Sequence, residues 1–241
     1  MMPESKAKDI SFWSSAWENN RALWHKENVH PDLLEFLDKL FPDGTLDSSK
    51  TILFPLCGQT LDMIYCLKDK GLNVIGIEGV ESAIPPFFQN NSLIPYEKML
   101  LSHPSTDDVQ SEAIVYSFHQ GLQSLKIVKQ NYFETNYIPG MQGFPKVDAI
   151  FDRGSLTAID PSLRSDYVKT IMHWLRPGGR ILLNVPNYDQ SLVDGPPHNV
   201  EPAQVQELYI SHGCKVEHIH STPGVIHGKA TAAYNLFLIT K

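Results

Sequence analysis

Two residues in the first third of the chain have the types and the spacing of a nucleoside-binding site. Gly58 follows an apolar run that begins at Thr51, and Glu78 follows a second apolar run twenty residues later. A glycine after the first strand allows a tight turn and the close approach of a ligand to the backbone. A carboxylate after the second strand can accept hydrogen bonds from both hydroxyls of a ribose. We therefore predict a nucleoside site here, the alternative being that Glu78 is a surface residue at a strand end.

The glycine pattern around Gly58 indicates which kind of nucleoside the site would bind. The G-x-G-x-x-G fingerprint that cradles a pyrophosphate is missing, and only Gly58 corresponds to it. This disfavours an NAD-dependent dehydrogenase. S-adenosyl-L-methionine carries an amino acid in place of phosphates, so it needs the acid for its ribose but no phosphate cradle.

Other residues with chemical potential lie near the ends of later elements. Asp152 and Arg153 end an apolar run, and such a pair is either an internal salt bridge or a ligand clamp, because an unpaired charge is costly to bury. The histidines have no carboxylate or cysteine at metal-ligand spacing, so we predict no metal. We expect Cys57 to serve packing rather than chemistry.

The elements that position these residues alternate between strands and helices. Helical patterns cover 31–40, 60–70, 81–91, 162–175 and 202–212, and apolar runs typical of strands cover 51–56, 73–77, 125–133, 146–151, 180–185, 215–220 and 234–240. This alternation predicts an α/β fold with one doubly wound, mostly parallel, seven-stranded sheet and helices on both faces, and the short late connections indicate an antiparallel edge. The alternating runs 113–118 and 125–133 predict a hairpin followed by a return to the sheet. We expect a single domain over 1–241, with an N-terminal helical cover at 1–45 and a hairpin insertion at 92–125.

Large apolar side chains recur at helical spacing near the N-terminus. Phe12, Trp13, Trp17, Leu23 and Trp24 must pack on something. They indicate either a helix docked on the core or a lid over a pocket.

Composition limits the classes of partner. The chain has 20 Lys and Arg residues against 27 Asp and Glu residues, a formal net charge of −7, so nucleic acid is an unfavourable partner. No apolar stretch has the length of about 18 to 20 residues that spans a bilayer, and we expect no membrane association. Three cysteines in no zinc-binding pattern suit a reducing compartment. We expect a cytoplasmic monomer that acts on a small molecule.

Five segments occur in an order that is typical of one enzyme family. They are FWSSAWENNRALWH (12–25), ILFPLCGQTLDM (52–63), VIGIEGVESAIPPFF (74–88), VDAIFDRGSLTAID (147–160) and DGPPHNV (194–200). Together they resemble the thiopurine S-methyltransferase family of class I S-adenosylmethionine-dependent methyltransferases, over nearly the whole chain. The resemblance implies a Rossmann-like methyltransferase fold and the cofactor S-adenosyl-L-methionine.

The resemblance also implies roles for individual residues. Arg153 aligns with an arginine near both the cofactor's sulfonium and the acceptor, and Trp24 with an aromatic residue of the acceptor pocket. The other implied cofactor-binding residues are the covering pair Trp13 and Trp17, the turn residues Leu56 and Gly58, the ribose-binding acid Glu78, and Asn131 and Tyr132 beside the adenine.

The activity implied by the resemblance is methyl transfer to the sulfur of a small thiol or thiopurine-like acceptor. Relatives of the family also methylate halide, thiocyanate or chalcogen anions, and a non-catalytic S-adenosylmethionine-binding protein is a third hypothesis. The thiolate is the reactive form of a sulfur acceptor, so the pocket should favour an anion. Arg153 is the first candidate for that task, and His25 or a residue of 227–229 is the second.

The chain departs from the family pattern at the acceptor side. His227 and Lys229 stand where thiopurine-methylating relatives have an arginine, and neither provides the planar two-pronged donor of a guanidinium. Trp24 is bulkier than the phenylalanine expected there, which favours a smaller acceptor.

Overall fold

The protein is described here by a computed structural model, which describes residues 10–19, 21–22, 24–103 and 111–241. In these residues nine strands form one sheet: β1 (Thr51–Phe54), β2 (Asn73–Glu78), β3 (Glu97–His103), β4 (Ser111–Gln120), β5 (Gln123–Lys129), β6 (Val147–Arg153), β7 (Leu175–Tyr188), β8 (Lys215–Ile226) and β9 (Ala230–Thr240). The strand order is β3-β4-β5-β2-β1-β6-β7-β9-β8.

The sheet is mixed, so the expectation of a mostly parallel, seven-stranded sheet is wrong in strand number and in direction. The five central strands, which lie in the order β5-β2-β1-β6-β7, pair in parallel. The outer strands β3, β4, β8 and β9 pair antiparallel with their neighbours. Short connections explain the outer strands. Residues 121–122 join β4 to β5 and 227–229 join β8 to β9, and a connection this short can only join antiparallel strands.

Seven α-helices are present in the described residues. They are α1 (Ile10–Glu18), α2 (Pro31–Leu40), α3 (Asp62–Ile64, continued by a π-helical turn at Tyr65–Asp69), α4 (Ile84–Asn90), α5 (Ser155–Ala158), α6 (Arg164–Trp174) and α7 (Pro202–Ile210). The N-terminal aromatic segment is helical only as far as Glu18, and the predicted core residue Leu23 lies outside the described residues. Helix α2 begins with Pro31 in its first turn, and His30 caps it by accepting a hydrogen bond from the N–H of Asp32.

Two apolar layers cover the two faces of the sheet, as predicted. Leu53 of β1 packs in the same cluster as Trp174 of α6 and Tyr209 of α7. Its neighbour Ile52 packs in the opposite cluster with Leu37 of α2. Successive strand residues point to opposite faces, so a strand buried on both faces is apolar throughout. The carboxyl ends of these central strands form the edge where ligands bind in open α/β sheets.

None of the helices in the described parts of the chain is both long enough and apolar enough to cross a membrane.

Candidate active site

A cleft opens beyond the carboxyl ends of β1 and β6, beneath the segment that joins α1 to α2. The space between its walls, including the part open to solvent, is about 480 Å³. The lining includes Trp17, Trp24, His25, Gly58, Asp62 and Arg153. The structure therefore brings together six residues that the sequence predicted for the site, namely Trp17, Trp24, His25, Leu56, Gly58 and Arg153, and adds Asp62.

The turn after β1 has an unusual backbone conformation that its neighbours hold in place. Leu56 has φ 43° and Gly58 has φ 52°, a region that non-glycine residues rarely adopt. The N–H of Cys57 donates to the carbonyl of Ile77 in β2 at 2.9 Å. The hydroxyl of Ser155 in α5 donates to the carbonyl of Pro55 at 2.6 Å. The turn is thus tied to a neighbouring strand and to a helix, which makes it a rigid floor for a ligand.

Glu78 at the end of β2 is buried and points at this turn. Its Oε2 accepts a hydrogen bond from the N–H of Gly58 at 2.8 Å, and its Oε1 accepts one from the N–H of Val80 at 2.7 Å. Burial raises the pKa of Glu78, and the backbone N–H donors oppose that shift. A carboxylate has about four lone-pair sites, so each oxygen keeps one for another donor. These residues fit the ribose of S-adenosylmethionine.

Helix α1 packs directly on the backbone at two glycines of this edge of the sheet. A Cβ on Gly58 would lie 2.9 Å from Cζ2 of Trp17, and a Cβ on Gly79 would lie 2.8 Å from Cδ1 of Ile10. Trp24 holds the other side of the helix, with edge-to-face contacts to Trp13 at 5.0 Å and to Trp17 at 5.7 Å between ring centroids. The aromatic segment therefore covers the turn and the end of β2.

Arg153, at the end of β6, brings a cation into the cleft. Its Nη1 donates to the carbonyl of Trp24 at 3.2 Å, and no carboxylate of the described residues lies within 4.0 Å of it. Burial lowers the pKa of Arg153, while Asp62 and Tyr234 oppose the shift. A cation in such a position can hold an anionic acceptor, because no carboxylate neutralises it at contact distance.

Asp152 does not pair with Arg153 in the described residues, which argues against the salt bridge, the first of the two alternatives for this pair. Instead the buried Asp152 accepts a hydrogen bond from the hydroxyl of Tyr167 at 2.7 Å. Burial raises the pKa of Asp152 to about 6. Neighbouring strand residues point to opposite faces, which separates the two side chains. The clamp hypothesis is left for Arg153 alone.

Besides Trp13 and Glu78, four predicted site residues lie outside the cleft lining. Asn131 is exposed and caps a short 3-10 turn, and Tyr132 is buried in the core with its ring stacked on Tyr167 at 4.6 Å. His227 and Lys229 are exposed in the turn between β8 and β9, where His227 Nε2 lies 3.2 Å from the carbonyl oxygen of Pro196. The cofactor-binding role of the first pair and the acceptor-binding role of the second stay predictions.

Three residues near Arg153 were missed in the sequence. Asp62 is buried, and its oxygens accept hydrogen bonds from the N–H of His30 and the hydroxyl of Thr60, both at 2.7 Å. The sequence contained a local signal for Asp62, because a Thr-x-Asp sequence just after the glycine turn is typical of a helix start. His30 and Tyr234 come from distant parts of the chain and carried no such signal.

Glu78 at the end of β2 and Arg153 at the end of β6 lie along the same edge of the sheet, and two solved structures with a similar fold are methyltransferases. The 1,6-didemethyltoxoflavin-N1-methyltransferase of Burkholderia thailandensis, with bound S-adenosylhomocysteine, has a TM-score of 0.59 and 16% identity, covering 96% of this chain and 86% of its own. The magnesium protoporphyrin IX methyltransferase of Synechocystis, also with S-adenosylhomocysteine, has a TM-score of 0.60 and 12% identity, covering 95% and 96%. The fold is therefore that of class I S-adenosylmethionine-dependent methyltransferases.

Sequence similarity defines the family within this class. The profile of the thiopurine S-methyltransferase family matches residues 8–234. The thiopurine S-methyltransferase of Legionella pneumophila (strain Paris) is 32% identical over 82% of this chain and 79% of its own length. That of Psychrobacter cryohalolentis is 26% identical over 95% and 98%. The chain belongs to the thiopurine S-methyltransferase family and is an S-adenosylmethionine-dependent methyltransferase.

Proposed function

We propose that the protein transfers the methyl group of S-adenosylmethionine to the sulfur of a small thiol or thiopurine-like acceptor. The observation that carries this proposal is the half-buried guanidinium of Arg153 in the cleft, hydrogen-bonded to the carbonyl of Trp24. A cation in a partly desolvated cleft lowers the pKa of a nearby thiol and so favours the reactive thiolate. The family name supports sulfur as the accepting atom.

The residues proposed to hold the cofactor surround the rigid turn after β1. Glu78 accepts the ribose hydroxyls with its remaining lone pairs, and the backbone at Leu56 and Gly58 supports the methionine part. Trp13 and Trp17 of α1 exclude water from above. When bound, the cofactor supplies an electrophilic methyl group whose sulfur leaves as a neutral thioether. The task of the chain is therefore positioning, which can contribute several kcal/mol to lowering the barrier. The proposed roles of Asn131 and Tyr132 at the adenine require that the ligand reach the end of β5.

On the acceptor side, Trp24 is the proposed packing surface and Arg153 the proposed cation. The exposed positions of His227 and Lys229 favour Arg153 over them. The partly buried Tyr234 of β9 acts electrostatically on Arg153 and is a further candidate for the acceptor wall. We propose that the acceptor is a small molecule, and that the chain acts as a monomer without nucleic acid or membrane.

A second candidate is methyl transfer to halide, thiocyanate or chalcogen anions. Among the described residues no carboxylate contacts Arg153, which favours this candidate, because such a cation suits any small anion. A non-catalytic binding protein is the weaker alternative.

Formation of S-adenosylhomocysteine in the presence of an acceptor panel tests these proposals. The panel contains aliphatic thiols, aromatic thiols, a thiopurine, iodide, thiocyanate and selenide. We expect turnover with sulfur acceptors; turnover with the anions alone would favour the second candidate, and cofactor binding without any turnover would favour the third.

Replacing Arg153 tests its role in the same assay. Arg153→Ala should lower kcat with sulfur acceptors more than it lowers affinity for S-adenosylhomocysteine. The matched control is Arg176→Ala, because Arg176 forms an ion pair with Asp148 at 2.9 Å at the opposite end of the sheet. An unaltered kcat in Arg153→Ala would remove Arg153 from the acceptor site.

A further inference from the structure

His25 is a base in the cleft whose ring nitrogens are available to the thiol that accepts the methyl group. Its backbone N–H is held by the carbonyl of Ala22 at 2.9 Å, and its ring packs near Trp17 with 6.0 Å between centroids. Within the described parts of the chain, neither ring nitrogen takes part in a hydrogen bond. The nearby His30 differs, because its Nδ1 accepts from the N–H of Asp32 at 3.2 Å.

Burial and the charge of Arg153 favour the neutral form of His25. Burial lowers the pKa of His25, Arg153 lowers it further, and Glu27 opposes both. A neutral imidazole has one nitrogen with a free lone pair, so His25 can accept a proton at neutral pH. Arg153 and His25 both line the cleft, which therefore holds a fixed cation and an uncharged base together.

We propose that His25 takes the proton of a neutral thiol acceptor while Arg153 holds the sulfur. This inference rests on the proposed function and deepens it, because it assigns neutral thiols, rather than preformed anions, as the acceptor class. The S–H bond breaks, its electron pair stays on the sulfur, and the proton bonds to a ring nitrogen of His25. The proton passes from His25 to water after the methylated product leaves.

The charges in the cleft favour transfer of the proton to His25 as the thiolate forms. Before the transfer, the positive charge of Arg153 disfavours a second cation on His25. As the thiolate forms, its negative charge offsets that of Arg153, so the imidazolium is stabilised when it must hold the proton. Cysteine–histidine pairs activate a thiol in the same way.

Asp62, the carboxylate in the described part of the cleft lining, is held by two protein donors. Asp62 accepts hydrogen bonds from the N–H of His30 and the hydroxyl of Thr60. Cys57 is buried, and burial raises the pKa of its thiol well above the usual range, so it is no base at neutral pH. Among the described residues of the lining, His25 is the base best placed to receive a proton.

Two aromatic thiols of similar size test the proposal, one fully ionised at the assay pH and one mostly protonated. His25→Gln should lower kcat for the protonated thiol by about 10²-fold, the usual contribution of a positioned base, and for the ionised thiol by less than about threefold. The control His212→Gln replaces an exposed histidine after α7 and should change neither rate. S-adenosylhomocysteine affinity, measured by calorimetry, checks that the variant is folded.

A second variant and a binding measurement separate a proton acceptor from a packing residue. In His25→Ala, added imidazole should restore turnover of the protonated thiol. Binding of that thiol to the wild-type complex with S-adenosylhomocysteine should produce the ultraviolet absorbance of the thiolate without releasing a proton to the buffer. With His25→Gln the thiolate band should be lost or should appear with proton release.

The outcomes distinguish this inference from the proposed function. Equal losses on both thiols, no loss on either, or a lack of imidazole rescue would overturn the role of His25 while leaving sulfur methylation intact. If the wild-type protein methylates no sulfur acceptor at all, both are overturned.

Discussion

At the scale of single residues, the carboxylate of Glu78 holds the turn after β1 and is the proposed ligand of the ribose. One lone pair on each oxygen holds a backbone N–H, that of Gly58 and that of Val80. The remaining pairs are free for a ribose. The same side chain thus shapes the turn and is the proposed ligand of the ribose, so we expect its replacement to affect both.

Glu78→Ala should weaken S-adenosylhomocysteine binding by about 1 to 3 kcal/mol, because charge-assisted hydrogen bonds to the ribose are lost. It should also lower the free energy of unfolding, since two N–H groups lose their acceptor. Calorimetry and denaturant unfolding measure the two effects. The matched control Glu81→Ala removes a carboxylate that pairs with Lys98 at 2.8 Å, and it should leave affinity unchanged. Equal affinities of wild type and Glu78→Ala would contradict the placement of the ribose.

At the scale of elements, the position of α1 depends on two glycines at the sheet edge, which have no side chain to hold the helix away. Trp17 and Ile10 pack where Gly58 and Gly79 leave the backbone bare. A helix can approach a turn this closely only when the turn has no Cβ. The contact therefore couples α1 to the conformation of the turn after β1.

Gly58→Ala should disturb this coupling in two ways. The left-handed conformation costs an alanine about 1 to 2 kcal/mol, and the added Cβ would lie 2.9 Å from the Trp17 ring. Gly213→Ala is the control, because Gly213 has φ 76° but no atom within 4 Å of an added Cβ. We expect both variants to lose stability and only Gly58→Ala to lose S-adenosylhomocysteine affinity and to change tryptophan fluorescence.

The double variant Gly58→Ala with Trp17→Ala isolates the contact. If the clash matters, the second replacement should cost less in the Gly58→Ala background than in the wild type. Strictly additive effects on affinity would show that the helix and the turn are independent.

At the scale of the whole molecule, a buried carboxylate near the centre of the sheet sets part of the pH dependence of stability. Asp152 is fully buried in β6, with Tyr167 as a hydrogen-bond donor and no cation in contact within the described residues. Burial raises its pKa to about 6 from the ordinary 3.8. Because the folded pKa is the higher one, the folded state binds the proton more tightly. The ionised group therefore costs stability as pH rises through 6.

The difference in the free energy of unfolding, wild type minus Asp152→Asn, should be about 1 kcal/mol larger at pH 5 than at pH 7. Denaturant unfolding of both proteins at several pH values measures the difference. Asp166→Asn replaces an exposed carboxylate of α6 and serves as the control, for which we expect a nearly flat difference. A flat difference for Asp152→Asn as well would show that Asp152 is ionised throughout this range.

The sequence by itself determined the β1-α3-β2 unit with Gly58 and Glu78. Hydrophobic periodicity and the twenty-residue spacing are local, and a local pattern constrains the strand ends directly. The N-terminal aromatic helix and the burial of both sheet faces followed from the same kind of signal.

Only the tertiary structure decided the mixed sheet and the surroundings of Arg153. Strand β3 escaped prediction because Glu97–His103 mixes charged, polar and apolar residues. Asp152 and Arg153 looked like a pair in sequence, but strand geometry turns their side chains to opposite faces. His25, Asp62 and Tyr234 meet around Arg153 from three separate parts of the chain. Such meetings depend on how distant strands and helices pack, and no local pattern encodes that packing.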